Sequence, residues 1–307
     1  MNRKQYLTAV IAIVAIDLAL IITRIFINYI DWTWILVIVA SLYLFLKYKT
    51  TGPLQAFSTK FNMLVDYDLD VAEAKRLCQE RVDQAPTNNI KAFYMVYLGM
   101  ATYYNGDYEE AIKTFNMVDL KKLNNVYHIL ILSFIAYAAY ELEDLETFNL
   151  SIERIKNLEG TVNRKYLAFV GSYLQVLEAM QNLSNNPEHY KEVIESQFSR
   201  NDGYVSTKLI YNYRMALYYK TINDELEMDK CLAKVIANGK EHHTAIQARK
   251  LFKNNVNIED YVFVEEVDVD ETDEDTEQVL IETEIKEQDE IEEVEKVDAK
   301  DDEDLFK

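Results

Sequence analysis

Two apolar segments at the N-terminal end constrain the fold of this chain most. Residues 7–27 contain only four polar side chains, and residues 30–46 form a second apolar run. Each is close to the roughly 20-residue length that a helix needs to cross a bilayer. A cleaved signal peptide is the alternative for the first run, but its apolar part is too long, no Ala-x-Ala site follows, and the second run comes almost at once. The sequence therefore predicts a transmembrane hairpin in residues 1–50.

The basic residues predict how this hairpin is oriented. Five of them flank its two ends: Arg3, Lys4, Lys47, Lys49 and Lys60. The turn between the two runs carries Asp31, and Arg24 is the one basic side chain near it. Because cytoplasmic flanks are enriched in Lys and Arg, we expect a two-span protein of the cell membrane with both termini in the cytoplasm.

Asp17 is a charged residue in the middle of the first apolar run, in the segment VAIDLAL. A central acid costs about 2.5–3.5 kcal/mol on the insertion scale, but each surrounding Leu, Ile or Val returns roughly 0.3–0.6 kcal/mol, so the helix still inserts. An intramembrane acid usually has a partner or a role. Arg24, or Ser41 and Tyr43 of the second run, could satisfy it. Three roles stay open: a structural or oligomer contact, a contact to a partner membrane protein, and proton or ion handling.

The negative charge of the chain is concentrated at its C-terminal end. The net charge is −20, and residues 259–307 hold 24 acids against four lysines, so that segment alone carries −20. Such a composition cannot bury enough apolar surface to fold. We expect residues 258–307 to be a disordered acidic tail that makes salt-sensitive contacts to basic surfaces. The remaining residues show no basic stripe, which gives no support for nucleic-acid binding.

Between the hairpin and the tail, the sequence predicts an all-α fold. Only seven Gly and three Pro occur in the whole chain, and Ala, Leu, Glu and Lys favour helix. Residues 51–69 are interpreted as a linker with a first amphipathic helix, and residues 70–257 as antiparallel helical pairs. The helices are expected near 70–84, 90–104, 108–121, 125–141, 145–158, 162–182, 187–198, 206–221, 225–238 and 241–253.

One stretch of this region, LGMATYYNGDYEEAIKTF, resembles a tetratricopeptide repeat (TPR), a helix–turn–helix unit of about 34 residues. Leu98 and Gly99 match the Leu-Gly pair of that family, and residues 106–108 match its turn. Ala111 matches the small residue of the second helix, and Phe115 the large apolar residue four positions later. The resemblance implies that these residues pack the helices of one hairpin together and that residues 70–257 form an α-solenoid.

The resemblance has departures. The first-helix Trp of the family is Met95 here, its later first-helix Tyr is Thr102, and the closing Pro is absent. A degenerate second copy begins 37 residues further on, at Ile135-Ala136, and includes Phe148. Later hairpins keep the rhythm without the signature. The alternative is a generic helical bundle with one chance match.

The family's geometry implies a concave, partner-binding face lined by the first helix of each pair. In the best repeat these positions are Phe93, Val96, Met100, Tyr103 and Tyr104. Val96 and Met100 stand where the chaperone-binding members of the family carry polar residues, so that specificity is not expected. An aromatic, Met-bearing face suits an apolar or amphipathic segment. The alternative is that these side chains pack against a neighbouring hairpin.

No motif in the chain predicts catalysis. Its histidines and cysteines form no HExxH and no CxxC spacing, and no GxGxxG or Walker loop occurs. We therefore expect a protein that is not an enzyme and has no cofactor or metal.

The expected function is that of a membrane-tethered protein–protein interaction scaffold or adaptor with a partner of unknown identity. The alternative is an accessory or regulatory subunit of an integral membrane complex, contacting its partners through the hairpin and Asp17. The Asn, Lys, Ile and Tyr content is typical of a bacterial protein from an AT-rich genome.

Overall fold

The structure, a computed structural model, describes residues 2–27, 32–198 and 203–263. Twelve α-helices and four short 3-10 or π segments lie in these ranges, and none of their residues is in a strand. The predicted all-α class is confirmed. The predicted acidic tail lies outside the described residues from position 264 onward.

The first two helices are long and apolar enough to cross a membrane. Helix α1 is Arg3–Ile27 and α2 is Trp32–Asn62. Their apolar side chains are uncovered: Ile11 is 69% exposed and Leu36 is 67% exposed. By length and composition these are two candidate spans near the N-terminus, and the side on which each end lies stays a prediction.

Helix α2 continues through the Gly-Pro pair that the sequence analysis places at the start of a linker. Pro53 lies inside the helix, although proline removes a backbone donor and usually bends a helix. The hydroxyl of Thr51 donates to the Lys47 carbonyl at 2.9 Å in the preceding turn. Downstream, Phe57 and Phe61 are 3% and 1% exposed in a core shared with the next helices. Tertiary packing thus holds one continuous helix from the candidate span into the folded region.

The remaining helices agree closely with the predicted ones. A π segment, Met63–Tyr67, ends the α2 rod. The helices that follow are α3 Val71–Gln84, α4 Asn88–Tyr104, α5 Tyr108–Asn116, α6 Asn125–Glu141, α7 Leu145–Glu159, α8 Leu167–Gln181, α9 Pro187–Phe198, α10 Val205–Thr221, α11 Glu225–Asn238 and α12 His243–Leu251. The main differences are α5 and α8, which are shorter than predicted because 3-10 turns at Leu120–Lys122 and Arg164–Tyr166 adjoin them.

The helices after α2 form two layers. Helices α4, α6, α8, α10 and α12 are the inner layer, and each of α5, α7, α9 and α11 packs between two consecutive inner helices. The inner α6 is covered almost all round, with nine buried residues in its 17. The outer helices expose one polar face each. This alternation of inner and outer helices is the arrangement of stacked helical hairpins.

Four of the turns share one conformation: the turn before α3 and three turns from an inner to an outer helix. The residue before the N-cap of the following helix is left-handed at Leu69, Gly106, Glu143 and Asn223, and an Asp follows each of them. At the last three, the Asp N–H donates to the carbonyl five residues back at 2.9–3.1 Å, as in a Schellman motif. The first three Asp residues are 37 positions apart, so the chain repeats a hairpin unit structurally.

The array closes on itself, whereas the sequence analysis expects an open concave face. The N-terminal end of α10 meets the π segment, where Ser206 Oγ donates to Asp66 Oδ1 at 2.6 Å. The start of α12 meets the end of α4. There a Cβ added to Gly106 would lie 3.4 Å from Ile246 Cδ1, so the glycine leaves room for this side chain. The last helices of this helical array therefore contact its first ones.

The folded unit extends through Phe263. Residues 258–263, which the sequence analysis assigns to the tail, lie against α11: Ile258–Tyr261 is a 3-10 helix, and the Phe263 N–H donates to Asn238 Oδ1 at 2.7 Å.

Candidate functional site

A cavity of about 330 Å³, here called the central cavity, lies between the inner helices. All five inner helices contribute to its wall, together with the end of α9. Most of the wall is aromatic, including Tyr103, Tyr104, Phe134, Tyr137, Tyr173 and Phe198. Phe169 also lines it and is 39% exposed, which puts an opening beside α8. Pockets of this size and character are typical of small-ligand sites.

Arg214 of α10 is the one arginine in the central cavity wall, and it is 6% exposed. Its guanidinium carbon lies 5.0 Å from the Tyr137 ring centre and 5.5 Å from that of Phe198. Nη1 donates to Met180 Sδ at 2.6 Å, while Nε has no hydrogen-bond partner in the described part of the chain. A guanidinium keeps its charge in proteins. The cavity therefore holds a buried positive charge stacked on aromatic rings.

Glu141, at the end of α6, is the carboxylate of the central cavity wall. The Tyr213 hydroxyl donates to its Oε2 at 3.0 Å. Burial raises the pKa of Glu141, and the hydrogen bond from Tyr213 opposes that shift. Among the described residues, neither Glu141 nor any other carboxylate lies within 4 Å of Arg214 as an ion pair.

Two adjacent histidines at the start of α12 are buried. His243 lines the central cavity, and its Nδ1 lies 3.3 Å from the Tyr108 hydroxyl. His242 Nδ1 lies 2.8 Å from Thr244 Oγ1. The Nε2 atoms of both rings have no partner in the described residues. Burial lowers the pKa of His242 to about 3 and that of His243 well below its usual value, so both rings are neutral near pH 7.

The five residues predicted to face a partner divide into two groups. Tyr103 and Tyr104 line the central cavity. Val96 is fully buried in the main core. The ring centre of Phe93 lies 4.8 Å from that of Tyr97 and 6.0 Å from that of Tyr127. Met100 packs between the main core, which includes Val96, and the second core, which includes Phe57 and Phe61.

The residues predicted to pack the best repeat lie together. A Cβ added to Gly99 would be 2.5 Å from Phe115 Cε1, closer than real atoms approach. Phe115 and Ala111 are 1% and 0% exposed, and Leu98 is half-buried against the second core. The glycine thus lets α4 approach α5 at the point that the resemblance indicates.

Asp17 is half-buried between α1 and α2, and its Oδ1 has no hydrogen-bond partner among the described residues. The same holds for Nε of Arg24, whose guanidinium carbon lies 5.8 Å from the Trp32 ring centre. No ion pair joins Asp17 to Arg24 within the described hairpin, so Arg24 is not the ion-pair partner that the sequence suggests for this acid.

Sequence reasoning missed Arg214, Glu141 and His243. Each comes from a different helix, and they line one cavity only because α6, α10 and α12 pack around it. One local signal exists for Arg214: it stands inside the otherwise apolar and aromatic run YNYRMALYY.

A second cavity of about 430 Å³ lies between α5, α6 and α7. Its wall is mostly aliphatic, and Arg154 and His128 lie in it. No group of three metal-binding side chains occurs in residues 2–27, 32–198 and 203–263.

Comparison of the chain with models of protein families, with curated proteins and with solved structures finds no match.

Proposed function

We propose that this chain is a membrane-tethered scaffold: two N-terminal helices hold it in the bilayer, and a TPR-like superhelix binds a partner protein. The continuity of α2 carries this proposal. The same helix is apolar and exposed at Leu36 and is packed into the helical core at Phe57 and Phe61. A rigid helix of this kind would hold the superhelix at a fixed distance from the membrane and raise the partner's local concentration there.

The repeated turns support the TPR-like class. A left-handed residue followed by an Asp starts α3, α5, α7 and α11, and Gly99 packs on Phe115. Helical hairpins stacked in this way present surfaces that bind protein segments.

We place the partner on the edge of the superhelix that is distal to the candidate spans. Short turns make consecutive helices antiparallel, so the inner helices run in the direction in which α2 leaves the span. Their C-terminal turns at α6–α7 and α10–α11 carry four exposed aliphatic side chains: Leu142, Leu145, Ile222 and Leu226, which are 39–62% exposed. A protein segment with an apolar surface would cover them.

Affinity purification of the full-length protein from its native membranes in a gentle detergent tests this. We expect a partner that is retained by the wild type and lost from the double variant Leu145→Ser, Leu226→Ser. Leu150→Ser is the matched control, since Leu150 is 44% exposed elsewhere on α7. Co-purifying proteins that are unchanged in the double variant would contradict the proposed edge.

The second candidate function is an accessory subunit of an integral membrane complex, and the unpartnered Asp17 Oδ1 and Arg24 Nε favour it. Buried polar atoms in a membrane usually find a partner. Asp17→Asn in the same purification separates the two: proteins lost only with this variant would support the accessory subunit over the scaffold.

A further inference from the structure

The central cavity holds the Arg214 guanidinium, which no carboxylate of the described residues contacts as an ion pair within 4 Å, although Glu141 lies in the same wall. We propose that this cavity binds a small apolar carboxylate, whose carboxylate pairs with the Arg214 guanidinium and whose apolar body lies against the surrounding aromatic rings. The inference goes beyond the scaffold proposal, because it concerns the inside of the superhelix rather than its distal edge.

The state of Arg214 is the first reason. A buried charge without a partner is strongly unfavourable, and the guanidinium has five N–H donors. In the described residues Nη1 meets a thioether sulfur, a weak acceptor, the neutral Tyr190 hydroxyl also lies beside the guanidinium, and Nε meets nothing. A carboxylate fits this fork with two parallel hydrogen bonds. An arriving anion would therefore gain strong hydrogen bonds without displacing an existing ion pair.

The wall of the cavity indicates the rest of the ligand. The guanidinium carbon lies over the rings of Tyr137 and Phe198, at 5.0 and 5.5 Å from their centres, while Phe134, Tyr173 and Val176 supply further apolar surface. A volume of about 330 Å³ suits a molecule the size of a bicyclic aromatic acid. His243 Nε2 is a second unpartnered polar atom in this wall and can bond a second polar atom of the ligand.

Glu141 restricts the charge of the ligand. It lines the same cavity, and a second negative charge would meet this carboxylate in a site of low dielectric. A monoanion meets less of that repulsion than a dianion does, so the cavity should prefer a monocarboxylate to inorganic phosphate.

Calorimetric titration of the full chain in lipid nanodiscs tests the inference with three probes: 2-naphthoate, the uncharged 2-naphthalenemethanol, and inorganic phosphate. The wild type should bind 2-naphthoate saturably and more tightly than the other two. In Arg214→Met the affinity for 2-naphthoate should fall about 10- to 100-fold, with less than about a threefold change for the alcohol. Arg154→Met, an arginine change in the wall of the other cavity, should leave all three affinities unchanged.

Ser172→Phe provides a test that keeps Arg214 in place. Ser172 lines the central cavity and contacts Gln197, and a phenyl ring there would fill the space. This variant should lose both 2-naphthoate and 2-naphthalenemethanol. Circular dichroism verifies that each variant is folded.

Three results would overturn the inference: no saturable binding of 2-naphthoate to the wild type, equal affinity in wild type and Arg214→Met, or full binding in Ser172→Phe. Phosphate binding as tight as that of 2-naphthoate would remove the apolar carboxylate as the ligand class. None of these outcomes bears on partner capture by the distal edge, which Leu145→Ser, Leu226→Ser tests separately.

Discussion

Helices α1 and α6 are both apolar almost all round, yet they have opposite surroundings. Helix α6 is covered by α4, α5, α7 and α8, and Ile129 in it is fully buried. Among the described helices, α2 is the one that packs closely on α1. Ile11 of α1 is 69% exposed. Apolar side chains thus favour removal of a helix from water, and the neighbouring elements determine whether protein or another apolar medium covers it.

The candidate spans and the helical core also each hold charged side chains that are incompletely hydrogen-bonded. The candidate span holds Asp17 and Arg24, and the central cavity holds Arg214, each with a polar atom that has no partner in the described residues. In both regions the missing partner is a functional hypothesis: a membrane protein in the first and a small anion in the second.

The largest expected effect distinguishes the two apolar helices. Ile129→Ala should lower the free energy of unfolding by about 2–5 kcal/mol, because it leaves a cavity in the covered core. Ile11→Ala should change it by less than about 0.5 kcal/mol, because no protein side chain packs over that position. Urea titration of both variants in the same detergent measures this. Equal losses would show that α1 belongs to the protein core.

A smaller effect is expected at two helical glycines. Gly99→Ala should cost about 1–3 kcal/mol, because the added methyl would overlap the Phe115 ring. Gly171→Ala, in α8, has nothing within 4 Å of the new methyl and should stabilise the helix by up to about 1 kcal/mol. The same urea titration compares them. An unchanged free energy of unfolding in Gly99→Ala would show that α4 and α5 need no glycine at this position to pack together.

The buried His242 predicts a dependence of stability on pH. Its pKa is about 3 in the folded protein, so the unfolded chain binds the proton first as the pH falls below about 6.5. This contribution is present above that pH and declines as the pH falls toward 3, by about 2 kcal/mol between pH 7 and pH 5.

The variant His242→Asn, which keeps a side chain able to cap α12, should flatten this part of the pH profile of the unfolding midpoint. His189→Asn, at an exposed position, serves as the control and should leave the profile unchanged. A wild-type midpoint that is constant from pH 7 to pH 5 would contradict buried neutral histidines.

The smallest change in the free energy of unfolding is expected for an ion pair on the outside of the helical array. Lys75 Nζ lies 2.6 Å from Asp107 Oδ2 and joins α3 to the turn before α5, with both side chains partly exposed. Solvent and salt screen such pairs, so Lys75→Met should cost less than about 1 kcal/mol in thermal or urea unfolding. A loss as large as that of Ile129→Ala would show that exposed ion pairs, rather than the covered helices, hold the array together.

The sequence by itself determined the helices and most of their boundaries. The continuous apolar run of Asn125–Glu141, the apolar periodicity of Glu225–Asn238 and the short turns that bound both are local signals, and local backbone chemistry is sufficient to place these helices. The packing of Gly99 on Phe115 was implied by the resemblance of residues 98–115 to a tetratricopeptide repeat, and both residues belong to one hairpin.

Only the tertiary structure decided the rest. The Gly-Pro pair at 52–53 indicates a break locally, but the burial of Phe57 and Phe61 keeps α2 continuous. The central cavity combines Arg214 with His243 and Glu141, which are 29 and 73 positions away in the chain. No short-range pattern encodes that meeting, because it depends on how helices α6, α10 and α12 pack around one cavity. Local chemistry thus set the elements, and the summed geometry of their packing set the site.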